Sequence, residues 1–335
     1  MISLPRGMEV TFDDRVECAT AAILHVLKWY GVEHPELVFG CAPGFEFDPA
    51  EGLIQFWPPG WAPLARERYG LCFEEKNFTG FEAGWEEVLG RLSAGHPTVV
   101  VTDAYHLPFY SAYHTNHTGH CLIVTGYDPA ARRVEVADIS AMLWKGFIDL
   151  DQMRLALNLE LLPRGQVELR YFDIRPPRTD PAYNKGDLLG VVLPRALGSL
   201  KGDVPGIPPH CLTGSKATGA YASFLPQLME RCQEDPRGGA AAVLANRFAG
   251  LNVAERRMWF SEILRKAGEL LGLDELKAMA ELWVELHEEW RVVFNMHLKA
   301  LAAGPAALTP RILKRLEGAA RLEAQAVERL EEALP

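Results

Sequence analysis

Cysteine is sparse and never closely paired. The six cysteines, Cys18, Cys41, Cys72, Cys121, Cys211 and Cys232, are scattered and include no Cys-x-x-Cys, which excludes a zinc ribbon or a disulfide framework and fits reduced thiols. Positive charge is in deficit: 34 Lys and Arg against 44 Asp and Glu leave a net charge of -10. That balance argues against a nucleic-acid partner, because phosphate contacts need a concentrated positive face. No apolar run approaches the ~18 residues of a membrane span. The opening Met1 to Glu9 has no basic leader followed by an apolar core. No Gly-x-x-x-x-Gly-Lys phosphate loop is present. A soluble, cytoplasmic protein with no membrane partner is expected. At 335 residues and 48% hydrophobic side chains it is too long for one small core, so two domains are expected.

The first half alternates strand-like and helix-like segments. A helix is predicted from Cys18 to Tyr30, with Ala22, Val26, Leu27 and Tyr30 on one face and Gly31 ending it. Helical patterns follow near Leu64 to Tyr69 and Trp85 to Leu92, then Gly95 and the β-branched run Pro97 to Asp103, read as a buried strand. His120 to Tyr127 and Arg133 to Asp138, separated by Asp128-Pro129-Ala130, predict an antiparallel hairpin. A short helix at Asp151 to Asn158 and a strand at Gln166 to Ile174 precede the proline-rich stretch Arg175 to Pro181, where a domain boundary is placed. The expected division is 1–175 and 182–335, the second part all helical. There Leu276, Met279, Trp283, Leu286, Trp290, Val293, His297 and Leu301 form one amphipathic face. Thr309-Pro310 reads as a helix start, and Leu313, Leu316, Ala320, Val327, Leu330 and Leu334 continue the stripe. Both stripes are expected to pack within a helical bundle.

Chemistry concentrates at Cys18. At the first turn of a helix a thiolate is favoured by the macrodipole, and a neighbouring histidine lowers its pKa further. His120, opening the hairpin, is the candidate base. Asp138, at the end of the return strand, is the candidate for holding the imidazole in the useful tautomer, with Asp128 of the turn as the alternative. Cys41, in a Gly- and Pro-flanked loop, is a rival nucleophile without a helix dipole. His114, His117 and His120, helped by His106, offer a second reading as a zinc site, opposed by Thr-Asn and Thr-Gly content that disfavours the helix needed to align them.

Asp14 to Gly31, Val38 to Phe47, Asp103 to Tyr110, His117 to His120, Val124 to Asp128 and Val136 to Asp138 together resemble the butirosin biosynthesis protein H family over roughly residues 10 to 160. The resemblance implies a papain-like, α+β cysteine-protease fold with an antiparallel sheet, followed by an all-helical C-terminal domain. It also implies a cysteine-dependent acyl or aminoacyl transferase of antibiotic biosynthesis and secondary metabolism. In that family an acyl-carrier-protein thioester supplies the acyl group and a small-molecule amine accepts it. Cys18 matches the nucleophile, His120 the base and Asp138 the orienting acid. A papain-like site usually has a glutamine some six positions before its cysteine to help bind the oxyanion. Here Phe12 stands there and no Gln precedes Cys18, leaving Thr11 and Arg15 as weak replacements.

Thioester-to-amide transfer is downhill, so no cofactor and no metal are expected. The aromatic and histidine-rich stretch from Tyr105 to His120 suits a substrate wall. Tyr105, Phe109 and Tyr113 are its candidate contacts, and Asp103 is a candidate for binding an ammonium group. Arg66, Arg68 and Lys76, or Arg132 and Arg133, are candidate docking charges for an acidic carrier protein. Two alternatives remain: a cysteine peptidase or amidase using water as acceptor, and a catalytically inactive protease-like interaction module. A homodimer through the helical half is a further expectation.

Overall fold

The computed structural model describes residues 1–5, 7–9, 18–39, 44–54, 66, 70–139, 143–162, 167–175, 186, 188–203 and 209–334. In chain order the elements are β1 (Ile2–Ser3), α1 (Cys18–Trp29), a helical turn (Glu36–Phe39), β2 (Glu46–Asp48), β3 (Leu53–Ile54), β4 (Cys72–Phe78) and α2 (Phe81–Ser93). Then follow β5 (Thr98–Asp103), a short 3-10 turn (Ala104–His106), β6 (Gly119–Asp128), β7 (Arg133–Asp138), β8 (Trp144–Asp149), α3 (Leu150–Leu157) and β9 (Leu169–Arg175). After a π turn at Leu188–Val192 come α4 (Leu193–Lys201), β10 (Leu212–Thr213), α5 (Gly214–Glu234), α6 (Pro236–Leu271), α7 (Asp274–Ala303) and α8 (Pro305–Ala333). The chain is α+β, with an antiparallel sheet and a helical C-terminal region. Among the described residues no helix is long and apolar enough to cross a membrane.

The chain folds as two units, one comprising Met1–Pro35 with Ala65–Pro181 and the other Glu36–Leu64 with Ala182–Pro335. The proline-rich stretch ends at the third crossing between them, after Pro181. The segment 36–64, which the linear division left in the first domain, groups with the helices instead. The reason is local pairing. β2 lies between β3 and β10 in a small antiparallel sheet, while Phe45 stacks on Trp290 and Phe47 meets Tyr221 edge-on.

The first unit is built on a sheet ordered β4-β9-β5-β6-β7-β8, with β1 added beside β6 and every pairing antiparallel. β5 and β6 are central and nearly continuously buried, as strands covered on both faces must be. α1 packs on β5 and β6 and is buried almost all round from Ala19 to Leu27. It ends at Gly31, whose φ of 91° lets the N–H groups of Gly31 and Val32 cap the carbonyls of Lys28 and Leu27. α2 buries Phe81, Gly84, Trp85, Val88 and Leu92 at helical spacing. The strands β4 and β8 had no clear sequence signal because their exposed faces interrupt the apolar pattern. The predicted helix near Leu64 to Tyr69 lies almost wholly outside the described residues, as do Cys41, Thr11, Arg15 and Arg68.

In the second unit the predicted face of α7 is buried from Leu276 through His297. α8 departs from expectation twice. It begins at Pro305, so Pro310 falls inside the helix rather than at its start. Its buried stripe is Ile312, Leu316, Ala319, Glu323, Ala326 and Leu330, largely one position from the face read in the sequence, with Leu313, Ala320 and Val327 only half-buried. Glu323 hid this stripe, because an acid at a core position breaks the apolar pattern. It is buried because both its oxygens bind the guanidinium of the fully buried Arg257, at 2.8 and 3.0 Å, and one also accepts from the Trp290 indole.

Candidate active site

Cys18 is the first residue of α1, where the unsatisfied N–H groups and aligned dipoles of the first turn stabilise a negative sulfur. No acidic side chain in that turn opposes them. Because α1 packs on β6, its N-terminal sulfur meets His120 and Cys121 at the start of that strand. The Cys121 thiol hydrogen-bonds it most strongly; burial opposes ionisation, while the bond and charge of His120 and the Cys121 backbone N–H favour it. The net result holds the Cys18 thiol well below its ordinary pKa.

The hairpin supplies the third group. β7 returns along β6 from Asp128↔Arg133 to Ile123↔Ala137. Strand alternation then puts Asp138 on the sheet face shared with Leu122 and His120. His120 Nε2 lies 3.0 Å from Asp138 Oδ2, with 3% and 0% of the two side chains exposed. The bond to Asp138 occupies one ring nitrogen, so Nδ1 is the one left for the sulfur. Burial disfavours a charged imidazole, but the hydrogen bonds and charges of Asp138 and Cys18 outweigh it and raise the His120 pKa to about 10. The arrangement favours a thiolate–imidazolium pair. Asp128, the alternative orienting acid, instead accepts the backbone N–H groups of Ala130 and Ala131 in the turn.

The stretch after β5 folds over this site. Tyr110 lies on His120 with ring centroids 4.6 Å apart. Burial, with the nearby negative charges of Cys18 and Asp138, pushes its phenol up to about 12, and among the described residues its hydroxyl has no hydrogen-bond partner. Phe109 stacks on Trp144 at 4.0 Å, Tyr105 on His117 at 4.2 Å and Tyr113 on His114 at 3.9 Å.

Asp103 is not a free carboxylate. It is buried, one oxygen accepts the N–H groups of Tyr105 and Thr118, and the other meets His117 Nδ1 at 2.6 Å. It therefore anchors the loop rather than presenting itself to an ammonium group. The histidine-rich metal reading does not assemble: His120 is committed to Asp138 and Cys18, His117 to Asp103, and His106, His114, His117 and His120 form no metal-sized group. Of the candidate docking charges, Lys76 pairs with Glu74 and Arg132 with Asp151, both at 2.8 Å, while Arg133 lies over Phe147.

Cys121 and Tyr110 were missed in the sequence. Cys121 adjoins His120 in the chain, a signal available in principle, whereas Tyr110 is brought to His120 only by the loop's return.

A thiol at a helix N-terminus, an imidazole and a buried carboxylate in line define the site of a candidate cysteine-nucleophile protein. Residues 17–139 match the family model described as butirosin biosynthesis protein H, N-terminal, a segment that holds Cys18 and His120 and closes just past Asp138. Over this segment, which is well under half of the chain, it is similar to the butirosin biosynthesis protein H family. No curated protein matches the chain.

Proposed function

We propose that the protein is a papain-like cysteine acyl or aminoacyl transferase that moves an acyl group from a carrier-protein thioester, or an equivalent acyl thioester, to a small-molecule amine. The observation that carries this reading is the line from Cys18 through His120 to Asp138, with its third member fully buried. The Cys18 thiolate attacks the thioester carbonyl. The tetrahedral intermediate expels the donor thiolate, which takes a proton from the His120 imidazolium, leaving an acyl group on Cys18. Neutral His120 then accepts a proton from the attacking amine, the amide forms and the Cys18 thiolate leaves. Asp138 keeps the imidazole oriented throughout.

Where the glutamine of a papain-like site is missing, the oxyanion still needs a second donor beside the Cys18 backbone N–H. Tyr110 supports that role, because its hydroxyl donor lies close enough to Cys18 to feel its charge and has no partner among the described residues. Its ring also covers His120 and limits water, which favours amine over hydrolysis.

Intact-protein mass spectrometry after exposure to a panel of aminoacyl and acyl thioesters tests the reading. The expected result is one acyl adduct on the native chain, none on Cys18→Ser, and discharge when amines are added. Discharge by water at the same rate would identify a peptidase- or amidase-type hydrolase. No adduct with any donor would identify an inactive module.

A further inference from the structure

A second constellation of metal-ligating side chains lies in the helical unit, and nothing in the proposed transfer chemistry uses it. Asp48, His210 and Cys211 each direct one ligand atom into a space where all three lie within 4.8 Å of one another. We propose that they form a binding site for a zinc-type divalent cation, held by one carboxylate, one imidazole and one thiolate.

The backbone sets this grouping. β2 is the middle strand of the small sheet, with Asp48 opposite Leu53 on one side and Phe47 opposite Leu212 on the other. Continuing that antiparallel register by one residue puts Cys211 opposite Asp48, where directly facing Cβ atoms are ~5 Å apart. One ligand therefore ends β2, the second immediately precedes the strand β10 that pairs with it, and the third, His210, is the residue before that.

The Asp48 carboxylate is already oriented. Its Oδ1 accepts the backbone N–H groups of Ala50 and Glu51 at 2.9 and 3.3 Å, while Oδ2 faces His210. Such bonding to the non-ligating oxygen is how a metal-binding carboxylate is fixed. The Oδ2 to His210 Nε2 separation is 3.4 Å, beyond the usual N–H···O hydrogen bond of ~2.9 Å. It is close to the spacing of two ligands that each stand ~2.0–2.1 Å from a tetrahedral zinc. Mixed N, O and S donors suit zinc better than calcium or magnesium, which prefer oxygen alone. On binding, the Cys211 thiol proton passes to solvent as the sulfur–metal bond forms. Three protein ligands leave a fourth position for water or an exogenous ligand.

Zinc chloride titrated calorimetrically into the chelator-treated full chain tests the assignment. All proteins carry Cys18→Ser, so that the thiol beside His120 does not contribute. One equivalent is expected to bind, with affinity reduced more than about tenfold in Cys211→Ser and in His210→Ala. His210 is 59% exposed, so its replacement leaves the core intact, and circular dichroism of each variant checks the fold. Absence of zinc binding, or binding of equal strength in a folded His210→Ala protein, would overturn the site. Neither result bears on acyl transfer, which rests on residues of the other unit.

Discussion

His120 and Asp138 meet at 3.0 Å inside the protein, with neither side chain substantially exposed to water. A buried carboxylate next to an imidazole stabilises its charged form and fixes which nitrogen is left free. With Cys18 on the other side, the proton is expected to reside on His120 and the negative charge on sulfur. The expected behaviour of the protein follows from that distribution.

The pH dependence has a definite sign. The Cys18 pKa is lowered and that of His120 raised to about 10, so the ion pair exists between them and spans neutral pH. Below the lower limit the sulfur is protonated and alkylation by iodoacetamide slows. Above about pH 10 His120 loses its proton, and acylation slows because the departing thiolate is no longer protonated. Cys121→Ala removes a hydrogen bond to the sulfur and shifts the alkylation profile upward. A single titration near the ordinary thiol value of about 8.5 would contradict this charge distribution.

Under the proposed transfer, replacing His120 removes acid–base assistance. His120→Ala is expected to slow acyl transfer by about 10²- to 10⁴-fold, measured as the single-turnover rate of adduct formation and discharge. Asp138→Asn keeps the shape but loses the charge, so it is expected to lower the His120 pKa as well as the rate. A histidine NMR titration reads that shift separately from activity.

Tyr110 separates two contributions. Tyr110→Phe keeps the ring over His120 but removes the hydroxyl. A donor to the oxyanion predicts a fall of about 10²-fold in the acylation rate with little change in thioester affinity. An unchanged rate in Tyr110→Phe alongside a loss in Tyr110→Ala would assign Tyr110 to covering the imidazole alone.

Stability of the helical unit has its own test at Arg257 and Glu323. Glu323→Ala leaves a fully buried guanidinium without its carboxylate and is expected to cost about 3–5 kcal/mol in urea denaturation. The double replacement Arg257→Met with Glu323→Leu should recover most of that loss, because two apolar groups need no partner.

Local patterns in the chain determined a good deal. The helix opening at Cys18 and stopping before Gly31, the strand at 98–103 and the hairpin through Asp128 were legible because dipole, glycine and apolar period act over a few residues. The place of His120 at the head of that hairpin was legible in the same way. Tertiary structure decided the rest. Asp138 rather than Asp128 meets His120 because of strand register, which sequence spacing left open. Tyr110 reaches His120 through a loop's return. The segment 36–64 joins the helices because β2 finds its partners at β3 and β10, the latter far along the chain. The buried stripe of α8 runs through Glu323 because Arg257, on another helix, supplies the charge that lets an acid occupy a core position. Each of these depends on a partner distant in sequence, and no local pattern carries that information.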